Sequence, residues 1–201
     1  MAFIRRAHQL LFWGHQAARL KFSSETEEEV ISQLIYEAIE KLTGESLELP
    51  SEYFRLGVQN ESPISSGGRT GKRRKLVDIV LIDYDTRPRY ILYCEAKRLY
   101  TPPASNLKKY MAEGINRFID GHYAPDHQYA VMLGYLQSDG PDYWASELKK
   151  CLDEPKNIAP RPLSSLTPCH IVDDLPHEWT SRHRRVSGSE IQLYHIFFDC
   201  S

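Results

Sequence analysis

Two apolar runs near the middle of the chain are rich in β-branched and aromatic residues. They cover residues 75–83 and 89–97, and residues 84–88 between them include aspartate and proline, which are typical of turns. This pattern predicts an antiparallel hairpin. A turn centred between Thr86 and Arg87 places Asp78 opposite Glu95, because the two residues are equally far from that midpoint.

Three charged residues interrupt these apolar strands: Asp78, Glu95 and Lys97. Directly opposed side chains have Cβ atoms about 5 Å apart, and two carboxylates so placed repel each other unless a cation lies between them. Lys97 shares a strand face with Glu95, because side chains alternate along a strand. The pattern therefore favours a site for a hard metal ion with a lysine beside it. The alternative is a structural ion pair, against which the apolar neighbours argue.

The rest of the chain predicts one strongly patterned helix and several other elements. Ser24 and Glu27 form a capping box at the start of a helix over residues 24–42, which Gly44 is expected to end. Other strands are predicted at 52–59, 128–136 and 191–198, and helices at 104–119 and 143–152. Residues 1–22 are compatible with an arm, a strand or a helix, and residues 155–176 are proline-rich and irregular.

The motif resembles that of the PD-(D/E)XK nuclease superfamily: Asp78, sixteen residues, then Glu95-Ala96-Lys97. Val77 stands where the family name has proline. The resemblance implies an α/β fold with a restriction endonuclease-like core, a central mixed sheet of four to five strands flanked by helices in the order α-β-β-β-α-β. It predicts a nuclease-like core at 23–153, a basic N-terminal extension at 1–22, and a C-terminal extension at 154–201 that packs on the same domain.

The resemblance also implies a chemistry for the motif. Asp78 and Glu95 would hold Mg²⁺, with Mn²⁺ as a substitute, and the carbonyl of Ala96 would be a further ligand. Oxygen ligands with room for water suit magnesium better than zinc. Lys97 would orient the attacking water and stabilise negative charge, since a lysine beside two carboxylates keeps its proton.

The superfamily often adds a carboxylate from the first helix, and Glu27 is the candidate because it heads the buried face. Its other interpretation is the capping-box partner of Ser24. Glu28, one turn before Ile31 and two before Ile35, is the reserve candidate.

Basic residues outside the motif are candidates for contact with nucleic acid. One run enters the Asp78 strand, a second cluster follows Trp179, and a lysine lies on the downstream helix; a solvated surface is the alternative for each. These candidates are Arg69, Lys72, Arg73, Arg74, Lys75, Lys109, Arg182, Arg184 and Arg185.

Composition narrows the class of protein. A chain of 201 residues suits one domain, and a net charge of -2 excludes a uniformly basic coat, so polyanion binding would depend on local patches. Four cysteines lack metal-binding spacing and are predicted to be reduced thiols. No segment has the length and apolarity of a membrane span, so a cytoplasmic location is expected.

The leading functional prediction is a metal-dependent DNA nuclease, endonucleolytic in action, in restriction or anti-phage defence. One alternative is a nucleic-acid-binding or partner-dependent subunit of a defence or repair complex, and another is an RNA nuclease. A homodimer would help to cut both strands of a duplex. No phosphate-loop motif occurs, so any ATPase activity would come from a protein partner.

Overall fold

A computed structural model of the chain describes residues 2–45, 49–63, 76–154 and 162–201. Seven strands form one mixed sheet. They are β1 (Leu56–Pro63), β2 (Leu76–Asp83), β3 (Ile91–Leu99), β4 (Tyr129–Leu136), β5 (Pro162–Pro168), β6 (Glu178–Arg184) and β7 (Glu190–Asp199). The α/β class and the mixed sheet are as predicted, but the prediction of four to five strands is wrong.

Helices cover both faces of this sheet. They are α1 (Ala2–Ala18), α2 (Glu28–Glu45), α3 (Pro103–Lys109), α4 (Asn116–Ile119) and α5 (Pro141–Asp153). A π-helical turn at Tyr110–Ile115 joins α3 to α4, and short 3₁₀ turns occupy Arg19–Lys21 and Ser51–Tyr53. No helix within these ranges is long and apolar enough to cross a membrane.

The strands lie in the order β1-β2-β3-β4-β7-β6-β5. The first three strands pair antiparallel, β3 pairs parallel with β4, and β4 pairs parallel with β7. The outer strands β6 and β5 return antiparallel. From α2 to β4 the chain follows the predicted order of helix, three strands, helix and strand.

The register of the central hairpin agrees with the sequence prediction. Ile79 pairs with Cys94, and Ile82 pairs with Ile91, so a turn centred between Thr86 and Arg87 relates the two strands. Continuing this register by one residue puts Asp78 opposite Glu95.

Two apolar cores lie on the two faces of the sheet. On one face Val80 and Ile82 pack with side chains of the π turn and α4 such as Tyr110 and Phe118. On the other face the core is formed by alternate residues of β2 and β3 together with α1 and α2. Residues 1–22, which the sequence left open between an arm, a strand and a helix, therefore contain the helix α1. Its residues Leu10 and Leu11 are fully buried.

Two details of the predicted elements are wrong. Helix α2 begins at Glu28, four residues after Ser24, and it continues through Gly44 to Glu45. Strands β5 and β6 lie where no strand was predicted. The buried positions of β6 include polar residues, so the strand shows no alternation of apolar and polar residues. Ser181 Oγ lies 2.7 Å from His183 Nε2 and 2.8 Å from His195 Nε2.

Candidate functional site

The hairpin brings the two strand carboxylates together. Asp78 Oδ2 accepts a hydrogen bond of 2.7 Å from the backbone N–H of Ala96, the residue next to Glu95. The side chain of Glu95 is only 5% exposed. Both carboxylates therefore lie at the same place on the sheet, with Glu95 buried and Asp78 half-buried.

Lys97 binds three oxygens at once. Its Nζ donates to Glu95 Oε1 at 3.0 Å, to Glu28 Oε1 at 2.8 Å and to the carbonyl oxygen of Ala96 at 2.6 Å. Its side chain is 10% exposed. The ammonium group is thus almost enclosed by oxygens, two of which belong to carboxylates and one to a backbone carbonyl.

Helix α2 contributes Glu28 to this cluster. Its second oxygen, Oε2, accepts a hydrogen bond of 2.9 Å from the backbone N–H of Arg98, so one carboxylate joins α2 to two successive residues of β3. Glu28 precedes the buried residues Ile31 and Ile35 by one and two turns, which puts it on the stripe that faces the sheet.

Glu27, the candidate preferred from the sequence, lies outside the cluster. Its carboxylate forms an ion pair of 2.7 Å with Arg98 and is 64% exposed. The reason is the helix start, since α2 begins one residue later and Glu27 precedes its first turn. The reserve candidate, Glu28, is the one that contacts Lys97.

Burial sets the charge states of the cluster. Burial raises the pKa of Asp78 to about 6, although Lys97 and the Ala96 N–H oppose this shift. Burial and the nearby Asp78 charge raise the pKa of Glu95 to about 8, with Lys97 and Arg117 opposing. Burial lowers the pKa of Lys97, but its carboxylate neighbours, led by Glu95, leave it higher than in water. Ionising both carboxyls is thus unfavourable at this site, and a further cation beside them would favour their charged forms.

Arg117 and Tyr123 were not predicted, and the structure places them beside Glu95. Arg117 Nη1 lies 3.8 Å from Glu95 Oε1 and donates a hydrogen bond of 2.6 Å to the hydroxyl of Tyr123. No local signal in the sequence marks Arg117 in preference to other basic residues of the same helical segment. Its placement depends on a π-helical turn, which residue patterns do not reveal.

A polar cleft of about 180 Å³ opens onto Lys97 between α2 and α3. Lys109, predicted as a nucleic-acid contact, lines this cleft. The full lining is Glu27, Glu28, Glu29, Lys97, Arg98, Tyr100, Asn106, Lys109 and Glu113. A larger cleft of about 910 Å³ lies at the N-terminal ends of β4 and β7, away from the Lys97 cluster. The candidate site belongs to the smaller cleft, because Glu28 and Lys97 of the cluster line it.

The second basic cluster lies at the larger cleft and is mostly neutralised. Arg182 and Arg184 are within 2.6 and 3.7 Å of Glu190. Arg185 is 3% exposed and donates to three backbone carbonyl oxygens, those of Phe118, Ala124 and His127. Arg185 is therefore a structural residue rather than a phosphate contact.

The basic run composed of Arg69, Lys72, Arg73, Arg74 and Lys75 lies outside the described residues.

Across residues 2–45, 49–63, 76–154 and 162–201, no three His, Cys, Asp or Glu side chains are arranged to hold one metal ion. Lys97 Nζ itself lies among the oxygens of Glu28, Glu95 and Ala96. The donor set is all oxygen, which is the kind that Mg²⁺ and Mn²⁺ prefer. A positive charge already lies at its centre, so the residues present fit a hard cation if the ammonium group moves aside.

No protein-family model, curated protein or solved structure matches this chain. Its function must therefore be argued from the residues of the cluster.

Proposed function

We propose that this protein is a metal-dependent nuclease of the PD-(D/E)XK kind that hydrolyses phosphodiester bonds in DNA. One observation carries the proposal. Asp78, Glu95 and Lys97 meet on two paired strands, in the register that the motif requires, and Glu28 from the preceding helix joins them. A structural ion pair would need one cation and one anion, whereas this cluster buries an excess of carboxylates.

The topology around the cluster supports the same proposal. Three antiparallel strands are followed by a helical crossover to a parallel fourth strand, which is the order of the superfamily core. Strands β5, β6 and β7 extend the sheet on the far side of β4 from β2 and β3, the strands that carry Asp78 and Glu95.

Asp78 and Glu95, with the carbonyl oxygen of Ala96, would hold Mg²⁺ or Mn²⁺ once the Lys97 ammonium group has moved away from Glu95 and Ala96. When bound, such an ion neutralises the phosphate and polarises its oxygens. Burial favours this, because a buried carboxylate without a counter-charge is costly.

The chain's own groups have distinct roles in hydrolysis. The ammonium group of Lys97 keeps its proton, and a metal ion that takes over the oxygens of Glu95 and Ala96 would release two of its N–H donors. These donors would then orient the attacking water and stabilise the charge that develops on the phosphate. Glu28, the first residue of α2, links the N-terminal end of this helix to β3 and thereby positions Lys97. The side chains of Lys97 and Glu95 are only 10% and 5% exposed, and low exposure to water strengthens the electrostatic interaction between them.

The test is incubation of the purified protein with supercoiled, linear and single-stranded DNA and with RNA, with Mg²⁺ or Mn²⁺ or with a chelator. Glu95→Ala and Lys97→Ala proteins are compared with Lys149→Ala, which changes an exposed lysine of α5. We expect metal-dependent cutting of DNA by the wild type and by Lys149→Ala, and none by the other two.

Several results would contradict the proposal. Cutting of RNA alone would reassign the substrate, and salt-dependent binding without cutting would favour a partner-dependent subunit. Circular dichroism checks that the inactive variants remain folded. Neither cutting nor binding by the wild type would refute the proposed site altogether.

A further inference from the structure

A second cationic group lies beside the cluster, on the face of the sheet that the π turn and α4 cover. Arg117 belongs to α4, and its guanidinium lies 3.8 Å from Glu95 Oε1. That separation is an ion-pair distance but exceeds a hydrogen bond, so Arg117 interacts with the charge of Glu95 without donating to it. The side chain of Arg117 is 30% exposed, which leaves part of the guanidinium open to an incoming ligand.

Tyr123 fixes the position of this guanidinium. Its hydroxyl accepts the hydrogen bond of 2.6 Å from Arg117 Nη1, and the Arg117 Cζ lies 5.5 Å from the centre of the Tyr123 ring. The backbone N–H of Tyr123 also donates to the Arg117 carbonyl at 3.0 Å. Tyr123 is itself 2% exposed, so its ring gives Arg117 a rigid support.

The backbone that carries Arg117 is unusual. The π-helical turn at Tyr110–Ile115 directly precedes α4, and such turns change the direction in which later side chains point. Within this turn, a Cβ on Gly114 would lie 2.3 Å from Met132 Cε. Gly114 therefore lies against the Met132 side chain of β4, the neighbour of the strand that carries Glu95. Arg117 follows three residues later in α4.

The other cations near the cluster have closer carboxylate partners than Arg117 has. Lys97 donates to three oxygens, and Arg98 pairs with Glu27. The guanidinium of Arg117 uses one N–H for Tyr123, and its other N–H groups donate to no protein group within the part of the chain that the structure describes. A planar guanidinium with free donors fits the oxygens of a phosphate.

We propose that Arg117, held in position by Tyr123, binds the phosphate that is to be cut, on the side of Glu95 that faces α4. This inference rests on the proposed nuclease function. In the hydrolysis the water oxygen forms a bond to phosphorus, the bond from phosphorus to the leaving oxygen breaks, the water releases its proton to solvent, and the leaving oxygen takes one from solvent. Arg117 transfers no proton; it donates hydrogen bonds to the non-bridging oxygens as their charge grows.

Two readouts test this role. The first is the single-turnover rate of cleavage of a labelled DNA duplex with Mn²⁺. The second is binding of the same duplex without metal, measured by fluorescence anisotropy over a salt series. The variants are Arg117→Ala, Arg117→Lys and Tyr123→Phe, which removes only the accepting hydroxyl. Arg55→Ala is the control, since Arg55 is exposed, pairs with Asp85 and lies at the start of β1.

We expect Arg117→Ala to lower the cleavage rate about 100-fold or more, and to reduce the salt slope of binding by about 0.9 through loss of one phosphate contact. Arg117→Lys keeps the slope but cleaves more slowly than the wild type, because an ammonium cannot form a paired contact. Tyr123→Phe falls between the wild type and Arg117→Ala. Arg55→Ala retains the wild-type cleavage rate.

The outcomes separate this inference from the proposed function. If the wild type does not cleave, the nuclease proposal fails, and the salt slope still decides whether Arg117 contacts phosphate. If the wild type cleaves and Arg117→Ala does so at the same rate, or its slope is unchanged, the phosphate contact is refuted. If Arg117→Ala does not fold, cleavage by Tyr123→Phe at the wild-type rate refutes the role of Tyr123 in positioning Arg117.

Discussion

Replacing Lys97 with methionine removes the positive charge from the centre of the cluster while nearly conserving side-chain volume. In the wild type, the Lys97 ammonium compensates Glu28 and Glu95 directly. Their side chains are 25% and 5% exposed. Water can therefore replace little of the electrostatic stabilisation that the ammonium group provides. The variant buries carboxylates that have lost their main counter-charge.

The expected cost follows from this loss. Removing one partner of a buried ion pair destabilises a protein by about 3–5 kcal/mol, which for a chain of this size lowers Tm by about 6–20 °C. The effect grows as pH rises above about 8, because the wild-type Glu95, whose pKa is raised to about 8, is ionised there and gains from Lys97. Without Lys97, which lowers this pKa, the carboxyl of the variant is harder to ionise. Below about pH 8 Glu95 takes up a proton, which relieves the repulsion and reduces the cost.

The assay is urea denaturation at pH 8.5 and at pH 6, in chelator and in excess Mn²⁺. Lys149→Met is the control, since Lys149 forms an exposed ion pair with Asp153 and its loss should cost less than about 1 kcal/mol. We expect Mn²⁺ to restore part of the stability that Lys97→Met loses, about 2.7 kcal/mol at 100 times the dissociation constant. Cleavage is expected to be lost even when stability is restored.

Two results would refute this reasoning. If Lys97→Met in chelator at pH 8.5 is as stable as the wild type, the oxygens around Lys97 do not carry the charge assigned to them. If Mn²⁺ fails to stabilise the variant, those oxygens do not form a cation site.

Three further predictions concern single residues. Glu28→Gln should slow single-turnover cleavage by about 10- to 100-fold and Glu27→Gln much less, because only Glu28 contacts Lys97; equal rates would contradict this. The raised pKa of Glu95 means that its carboxyl binds an extra proton in the folded protein, so the contribution of this group to stability falls by about 1.4 kcal/mol per pH unit as pH rises from 4.5 to 8; in urea titrations the slope of Glu95→Gln should differ from the wild-type slope by this amount, and an unchanged slope would exclude the shift. Burial lowers the pKa of His195 to about 3, so its contribution is lost as pH falls below about 6.5; His195→Gln should reduce the acid slope by about 1.4 kcal/mol per pH unit, whereas His170→Gln, at an exposed site, should not.

The sequence was sufficient for the hairpin because its information is local. A short turn fixes the register of the strands it joins, so Asp78 and Glu95 could be placed opposite each other from residue counting alone. The alternation of side chains then put Lys97 on the face of Glu95. These three positions need no knowledge of distant packing.

The choice between neighbouring glutamates could not be made in the same way. Glu27 and Glu28 differ by one residue, and the start of α2 decides which of them faces the sheet. Sequence patterns locate a helix start only to within a few residues. The glutamate that reaches Lys97 is therefore fixed by tertiary contact with β3.

The outer part of the sheet was missed for another physical reason. Strand β6 buries Glu178, whose oxygen lies 2.6 Å from Nδ1 of the buried His8, and it also buries Ser181 and His183. Such a strand is stabilised by side-chain hydrogen bonds to distant elements rather than by apolar alternation. Likewise, nothing in the residue pattern indicates the π-helical turn that sets Arg117 beside Glu95.

The most direct test of the central claim is the metal dependence of DNA cleavage by wild-type protein and by Asp78→Asn. Asparagine keeps the shape of the side chain and can still accept the hydrogen bond from the Ala96 N–H, but it removes the charge. We expect the wild type to cleave labelled duplex DNA in proportion to bound Mg²⁺ or Mn²⁺ and the folded variant to leave it intact. Cleavage by the variant at the wild-type rate, or by the wild type in chelator, would contradict the assignment of the Asp78 and Glu95 pair.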